Sequence, residues 1–310
     1  MTQALRQSIV TAATAFLLTL AAAQAGAAGF EAGYLYSLSD FSGTVPYFWA
    51  GIVPDNDQVE TYVVSGNTVD VFDQNGMQVY EFAYDAGNLN DVAVFPDGDI
   101  MLLTNGSQLV RCDYRGEPKS TVGFSGFPPE FGARISFNRM VYHDGRLYLA
   151  DFGNMRVVVV DTDGVFLQGY DISALLQLSE EETRDSGLNG FSVDDEGNIL
   201  FVISASAKVA ALSPDGTLSS FGKRGSGPGK FGVPAAIAAD RMGNYLVADK
   251  LRCVILVFGK DHRYIKEFGY RGLGPGNLIV PHDIVVDARG RAYVAQLRAR
   301  GVSVFQLRYP

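Results

Sequence analysis

A short apolar run, a turn holding a glycine, and a second apolar run recur along the chain at a nearly constant interval. The unit reads DVAVFPDGDIMLLT at 91–104, RMVYHDGRLYLAD at 139–151 and GFSVDDEGNILFVI at 190–203. It returns as AIAADRMGNYLVAD at 236–249 and DIVVDARGRAYVAQ at 283–296. The turn glycines Gly98, Gly145, Gly197, Gly243 and Gly290 are spaced by 47, 52, 46 and 47 residues. Apolar runs joined by Asp-Gly-type turns predict tight antiparallel hairpins, because glycine supplies the positive φ such turns need. A third apolar run follows each hairpin (QLVRC, RVVVV, KVAAL, VILVF, VSVFQ), and a fourth, outer run comes next, as in TLSSFG and YIKEFG. Four strands repeating at roughly 40–50 residues is the signature of a β-propeller blade.

Two copies near the C-terminus fix the frame. Residues 221–249 read FGKRGSGPGKFGVPAAIAADRMGNYLVAD, and residues 268–296 read FGYRGLGPGNLIVPHDIVVDARGRAYVAQ. An earlier, more degenerate unit places an inner strand at 47–53, a turn at Asp55-Asn56-Asp57, and further strands at 58–64, 68–73 and 78–82. That makes six blades. The sixth runs out of chain after its third strand, and GYLYSLSDFSG at 33–43 matches the outer-strand pattern. The expectation is an all-β, six-bladed propeller of four-stranded antiparallel blades, with the N-terminal strand completing the last blade. Such closure removes the exposed edge of an open ring. The long interval of 52 residues reflects an insertion at 172–184, ISALLQLSEEETR, whose spacing predicts a short helix or loop over one face.

Composition supports one large domain. The 310 residues are 47% apolar, enough for a sizeable core, and the repeat assigns 29–310 to one toroidal unit. Residues 1–28 stand apart: Arg6, an apolar run from 9 to 20, then the small-residue sites around Ala25, Ala27 and Ala28 read as a secretory signal peptide. The expected location is exported, periplasmic or extracellular, with no transmembrane segment once the signal is removed. Cys112 and Cys253 fall in blades two and five, too far apart across the ring for a disulfide, and both read as buried small hydrophobes in mid-strand. No Cys-x-x-Cys-His occurs, so the chain carries no c-type haem. Charge is uneven: 15 Lys and Arg face six Asp and Glu in 223–308, against nine and 28 in 29–222. Such a field can steer a charged partner onto blades five and six, while the overall acidity argues against nucleic acid.

The pattern Pro-x-[Gly/Asp]-apolar, Asp-x-x-Gly, Tyr-Val-Ala-Asp, Arg-Val-x-Val-Phe resembles the NHL repeat. It is strongest at 234–258, at 281–305, and at 148–160 with Asp151, Asn154 and Arg156. The Gly-rich lead-ins at 222–231 and 269–278 are also NHL-like, and they lack the Gly-Lys-[Ser/Thr] ending of a phosphate loop. The resemblance covers essentially all of 30–310. It implies a six-bladed propeller and no single activity, since that family includes scaffolds, sensors and a few enzymes.

Inner strands line a propeller's channel, so equivalent repeat positions form a ring at one mouth. The position after the repeat proline gives Tyr47, Asn90, Asn138, Asn189, Ala235 and His282. The next gives Phe48, Asp91, Arg139, Gly190, Ala236 and Asp283. The candidate ligand-binding mouth is therefore Tyr47, Asn90, Asp91, Asn138, Arg139, Asn189, His282 and Asp283. Asn and Asp oxygens suit calcium, and the set for such a metal would be Asn90, Asn138, Asn189 and Asp283. Leu-Asn-Asp at 89–91 and Leu-Asn-Gly at 188–190 resemble the metal ring of calcium-dependent lactonases, whose Glu has no counterpart near Tyr47. Pro281-His282-Asp283 resembles one histidine position of the peptide-amidating zinc lyase, but the other two histidines, His143 and His262, sit in hairpin turns. Asn before an inner strand equally serves to bond neighbouring backbone. Asp151, Asn154, Arg156, Asp249 and Arg252 read as turn caps and inter-blade salt bridges. No Ser/His/Asp or Cys/His arrangement is present. The sequence thus points to a binding or scaffolding module, without a required cofactor, for a protein, peptide or small polar ligand. A calcium-dependent hydrolase using the same ring is the alternative.

Overall fold

The computed structural model describes residues 29–132 and 135–309. Residues 1–28, where a signal peptide is expected, lie outside the described residues. Six four-stranded antiparallel sheets are arranged as blades. Their inner strands are Gly51–Asp55, Leu89–Val94, Arg139–His143, Gly190–Val193, Pro234–Ala239 and Pro281–Val286. Blade six is completed by the N-terminal strand Glu31–Ser37, which pairs antiparallel with Gly301–Arg308, from Glu31↔Arg308 to Ser37↔Ser303.

The second and third strands of each blade are almost wholly buried, as in Ile199–Ile203 and Val254–Phe258. Each blade is sandwiched between two others, so both of its faces must be apolar, and these strands read as continuous runs rather than alternations. Six apolar clusters result, one between each pair of adjacent blades. The cluster joining Ile52, Val63 and Phe72 of blade one to Tyr293, Val302 and Val304 of blade six closes the ring.

The Asp-x-x-Gly turns have a common mechanism. In blades three, five and six the Asp Oδ1 accepts two turn N–H groups, at Asp161, Asp240 and Asp287. Gly164, Gly243 and Gly290 then take φ of 80°, 75° and 71°. The Gly-rich lead-ins are structural clips: Arg224 Nη2 donates to Ala205 O at 2.7 Å, and Arg271 Nη2 donates to Leu251 O at 2.9 Å. Asp151 and Asp249 cap turns as expected, Asp249 accepting from Gly232, Val233, Leu251 and Arg252 N–H groups. The ion pairs differ from expectation. Arg156, on strand three, meets Asp171 on strand four, and Arg252, in the turn before strand three, meets Glu267 on strand four, each within its own blade.

Two further expectations are corrected. Blade one starts later than 47, at Gly51, because the hairpin register pairs Gly51 with Val64 and Asp55 with Glu60. Cys253 is buried and free, like Cys112, but it occupies a left-handed turn position (φ 58°) before Val254–Phe258 rather than mid-strand. The insertion folds as two short helices, Ile172–Leu175 and Glu180–Ser186, the second opened by a Ser179/Glu182 capping box.

Candidate functional site at the channel mouth

In blades two, five and six the register of the inner hairpin slips between Leu89 and Asp91, between Pro234 and Ala236, and between Pro281 and Asp283. The residue carried by each bulge is Asn90, Ala235 or His282. A bulge re-aims its side chain, and here the three sit at the same level of the ring. Together with Trp49, Asn138, Arg139, Phe152, Asn189, Phe191 and Asp283, Asn90 and His282 line a cavity of about 250 Å³ at this mouth.

Seven of the eight sequence candidates converge here or just beneath. Tyr47 does not. The later start of blade one puts Ala50 and Gly51 at the ring level and carries Tyr47 into the apolar cluster between blades one and six. There its hydroxyl donates to Asp70 Oδ2 at 2.5 Å. Burial and the nearby carboxylates raise the Tyr47 hydroxyl well above its usual value, and burial raises the Asp70 carboxyl to about 6. The aromatic that faces the mouth is Trp49, 39% exposed, whose indole lies 3.5 Å from where a Cβ on Gly51 would stand. It is the chain's single tryptophan. The Phe48-Trp49 pair just ahead of an inner strand was its sequence signal.

The three asparagines are partly committed to backbone. Asn90 Nδ2 donates to Phe137 O at 2.7 Å. Asn138 Oδ1 accepts from Phe152 N at 2.8 Å, and Asn189 Oδ1 accepts from Ser204 N at 3.0 Å. Each therefore locks a loop to an inner strand with one end of its amide. The other end, Oδ1 for Asn90 and Nδ2 for Asn138 and Asn189, has no protein partner among the described residues. The mouth thus offers both an acceptor and donors.

Asp91, Arg139 and Asp283 form the floor. Arg139 Nη1 donates to Asp283 Oδ2 at 2.9 Å, and Arg139 Nε lies 2.9 Å from Asp91 Oδ2, a charge contact off the N–H axis. Asp91 is fully buried and also accepts Val92 N–H and Met140 N–H. Burial alone would lower the Arg139 guanidinium's pKa, but Asp283 and Asp91 raise it, so the group stays charged. Burial pushes the Asp91 carboxyl up against the pull of Arg139. This triad joins blades two, three and six across the channel. It makes Asp91 and Arg139 structural closures rather than open contacts.

His282 Nε2 lies 3.1 Å from Ala50 O, to which the Nε2–H tautomer donates, and 3.3 Å from Ala50 N, from which the Nδ1–H tautomer accepts. Its Nδ1 is buried with no partner among the described residues, and its ring centroid is 6.3 Å from that of Trp49. Burial lowers the imidazole's pKa, with Asp283 opposing, so the neutral form is favoured.

The set does not fit calcium. Both carboxylates face the Arg139 guanidinium, and two of the three asparagine oxygens accept backbone N–H groups. Among the described residues no group of three or more His, Cys, Asp or Glu could hold a metal ion.

No family model matches the chain, and no curated protein matches it. Solved structures do. A protein of unknown function from Bacteroides thetaiotaomicron is 14% identical, with 90% of this chain and 76% of that one covered and a TM-score of 0.66. Virginiamycin B lyase from Staphylococcus aureus is 13% identical over 90% of this chain and 100% of its own, with a TM-score of 0.59. Kuenenia stuttgartiensis hydrazine synthase is 12% identical over 84% and 95%, with a TM-score of 0.58. Likeness at this level shows the propeller fold, which a lyase and a synthase share, and leaves function to the site.

Proposed function

We propose that this chain is an exported binding module that seats a protein segment, a peptide or a small polar ligand in the mouth bounded by Trp49, Asn90, Asn138, Asn189 and His282. One observation carries the reading. A half-exposed indole, three amides and an imidazole converge on one cavity whose floor is closed by the Asp91–Arg139–Asp283 ion triad. Aromatic walls with a few placed polar groups are the usual make-up of a small-ligand site. The closed floor means that a bound chain enters and leaves by the same opening. Lys250 adds positive charge close enough to His282 to depress its pKa further. That charge would favour acidic ligands at this mouth. Export rests on the 1–28 segment.

Because Trp49 is the only tryptophan, its fluorescence reports this cavity directly. Titration with fractionated envelope peptides and small polar metabolites should shift or quench that emission saturably, and Asn138→Ala with Asn189→Ala should weaken the response about tenfold, as for two lost hydrogen bonds. Ligands captured by the protein that leave Trp49 emission unchanged would place the binding surface elsewhere.

A further inference from the structure

Below the ion triad the channel opens into a second chamber on the opposite face, lined by all six blades and about 390 Å³ in volume. Its wall is apolar at every blade: Val53, Val94, Val141, Val193, Ala239 and Val285, each partly exposed. Ser192 Oγ, on the same wall, is buried without a hydrogen-bond partner among the described residues. The rim is acidic. Asp55, Asp57 and Asp195 border the opening. Asp55 Oδ1 accepts its own turn's N–H groups from Asp57 and Gln58. Among the described residues the carboxylates of Asp57 and Asp195 have no ion-pair or hydrogen-bond partner.

The cations nearby are engaged elsewhere. Arg111 pairs with Asp97 and Asp99, and Lys260 with Glu196. Arg289 reaches Gln74 Oε1 at 3.2 Å, and Arg241 lies over the Tyr309 ring. Neither Arg241 nor Arg289 lines the chamber. Arg139, at its inner end, is matched by two carboxylates and has no charge to spare for an anion.

From this we infer that the second chamber is a binding site for a small amphipathic cation: an apolar tail in the valine-lined well, and an amine or quaternary ammonium at the Asp57/Asp195 rim. Its volume falls within the roughly 300–1,000 Å³ of ligand pockets, which are mostly apolar with few polar anchors. A wet valine-lined well is unfavourable, and burying an alkyl tail there removes that surface from water. The carboxylates select the sign of the head group. The inference is independent of the ligand at the first mouth, because the triad separates the two cavities.

The test is calorimetric titration of the mature chain with octyltrimethylammonium, octanol and octanoate, all below their micellar or solubility limits. The ammonium should bind at one site per chain, at least tenfold more tightly than octanoate. Asp57→Asn with Asp195→Asn, which removes a rim carboxylate from blade one and from blade four, should weaken the ammonium about three- to tenfold, as expected for exposed charge interactions, and leave octanol unchanged. Val141→Trp, checked for native circular dichroism, should abolish all binding by filling the well. Trp49 emission, at the other mouth, should not move. Three results would each overturn the inference: no ammonium binding up to millimolar concentration, equal binding of octanoate, or binding that quenches Trp49. If Val141→Trp fails to fold, the Asp57/Asp195 pair still decides, since both side chains are exposed and outside the core.

Discussion

Blades five and six fold alike and meet the channel differently. Both begin at a proline, both slip register at the following residue, and both hang from a Gly-rich lead-in whose arginine donates to a backbone carbonyl. After the proline blade five carries Ala235 and Ala236, and blade six carries His282 and Asp283. Blade five presses against blade four: a Cβ on Gly190 would meet Ala236 Cα at 2.6 Å and Ala235 O at 2.8 Å. Its small residues and that glycine are one packing solution. Blade six leaves room, and its longer side chains reach Ala50 and Arg139 instead. The same repeat serves as a closing surface in one copy and as a source of channel chemistry in the other.

The sharpest way to break this difference is to make blade six like blade five at the triad. Asp283→Ala removes the carboxylate that accepts the Arg139 hydrogen bond and leaves the guanidinium paired with Asp91 alone. Losing a hydrogen bond to a charged group costs about 1.5–3 kcal/mol, and urea denaturation should register that loss. Replacing the whole triad (Arg139→Met, Asp91→Asn, Asp283→Asn) should recover most of it, because no buried charge then remains to be satisfied. A loss below about 1 kcal/mol for Asp283→Ala would mean that the triad is solvated rather than buried.

Blade five breaks the other way, by enlargement. Gly190→Ala drives a methyl into the backbone of Ala236 and should destabilise by about 1–3 kcal/mol, the usual range for overpacking. Gly51→Ala, at the equivalent level of blade one, is the control. Its Cβ would stand 3.5 Å from the Trp49 ring and 3.6 Å from Asp91 Oδ1, ordinary contact distances, so stability should move by no more than about 0.5 kcal/mol. Equal effects at the two glycines would show that the blade four–five contact is no tighter than the rest of the ring.

The blade count, the strand order and the N-terminal closure were legible because each rests on periodicity, and periodicity is local. Blade one was misframed by a few residues because its inner turn, Asp55-Asn56-Asp57, lacks the glycine that marks the other five, and Pro46 mimics the repeat proline ahead of the true strand. That slip exchanged Tyr47 for Ala50 at the ring and hid Trp49. The positions of Asn90, Asn138, Asn189, His282 and Asp283 followed from the repeat, but their partners did not. Whether an asparagine presents its oxygen or its nitrogen depends on loops such as Phe152 and Ser204, and the Asp91–Arg139–Asp283 contact joins three blades across the channel. Spacing along one chain carries no record of such cross-ring meetings.

A mild perturbation of the mouth itself is His282→Ala, which gives blade six the residue of blade five and removes the bond to Ala50 together with the ring beside Trp49. Its cost should be about 1 kcal/mol, the net worth of one hydrogen bond. The pH dependence discriminates further. Burial holds the folded imidazole's pKa below its ordinary 6.5, so the unfolded chain binds more protons than the folded chain between those values. Stability contributed by the neutral ring is therefore fully present above about pH 6.5 and is lost as pH falls toward the lowered folded pKa. Denaturation midpoints across pH 5–8 should rise with pH in the parent and be flatter in His282→Ala, the two proteins differing at that one residue. A parent and variant with parallel profiles would place His282 in contact with solvent, and the mouth would then be as open at blade six as its partnered backbone makes it closed.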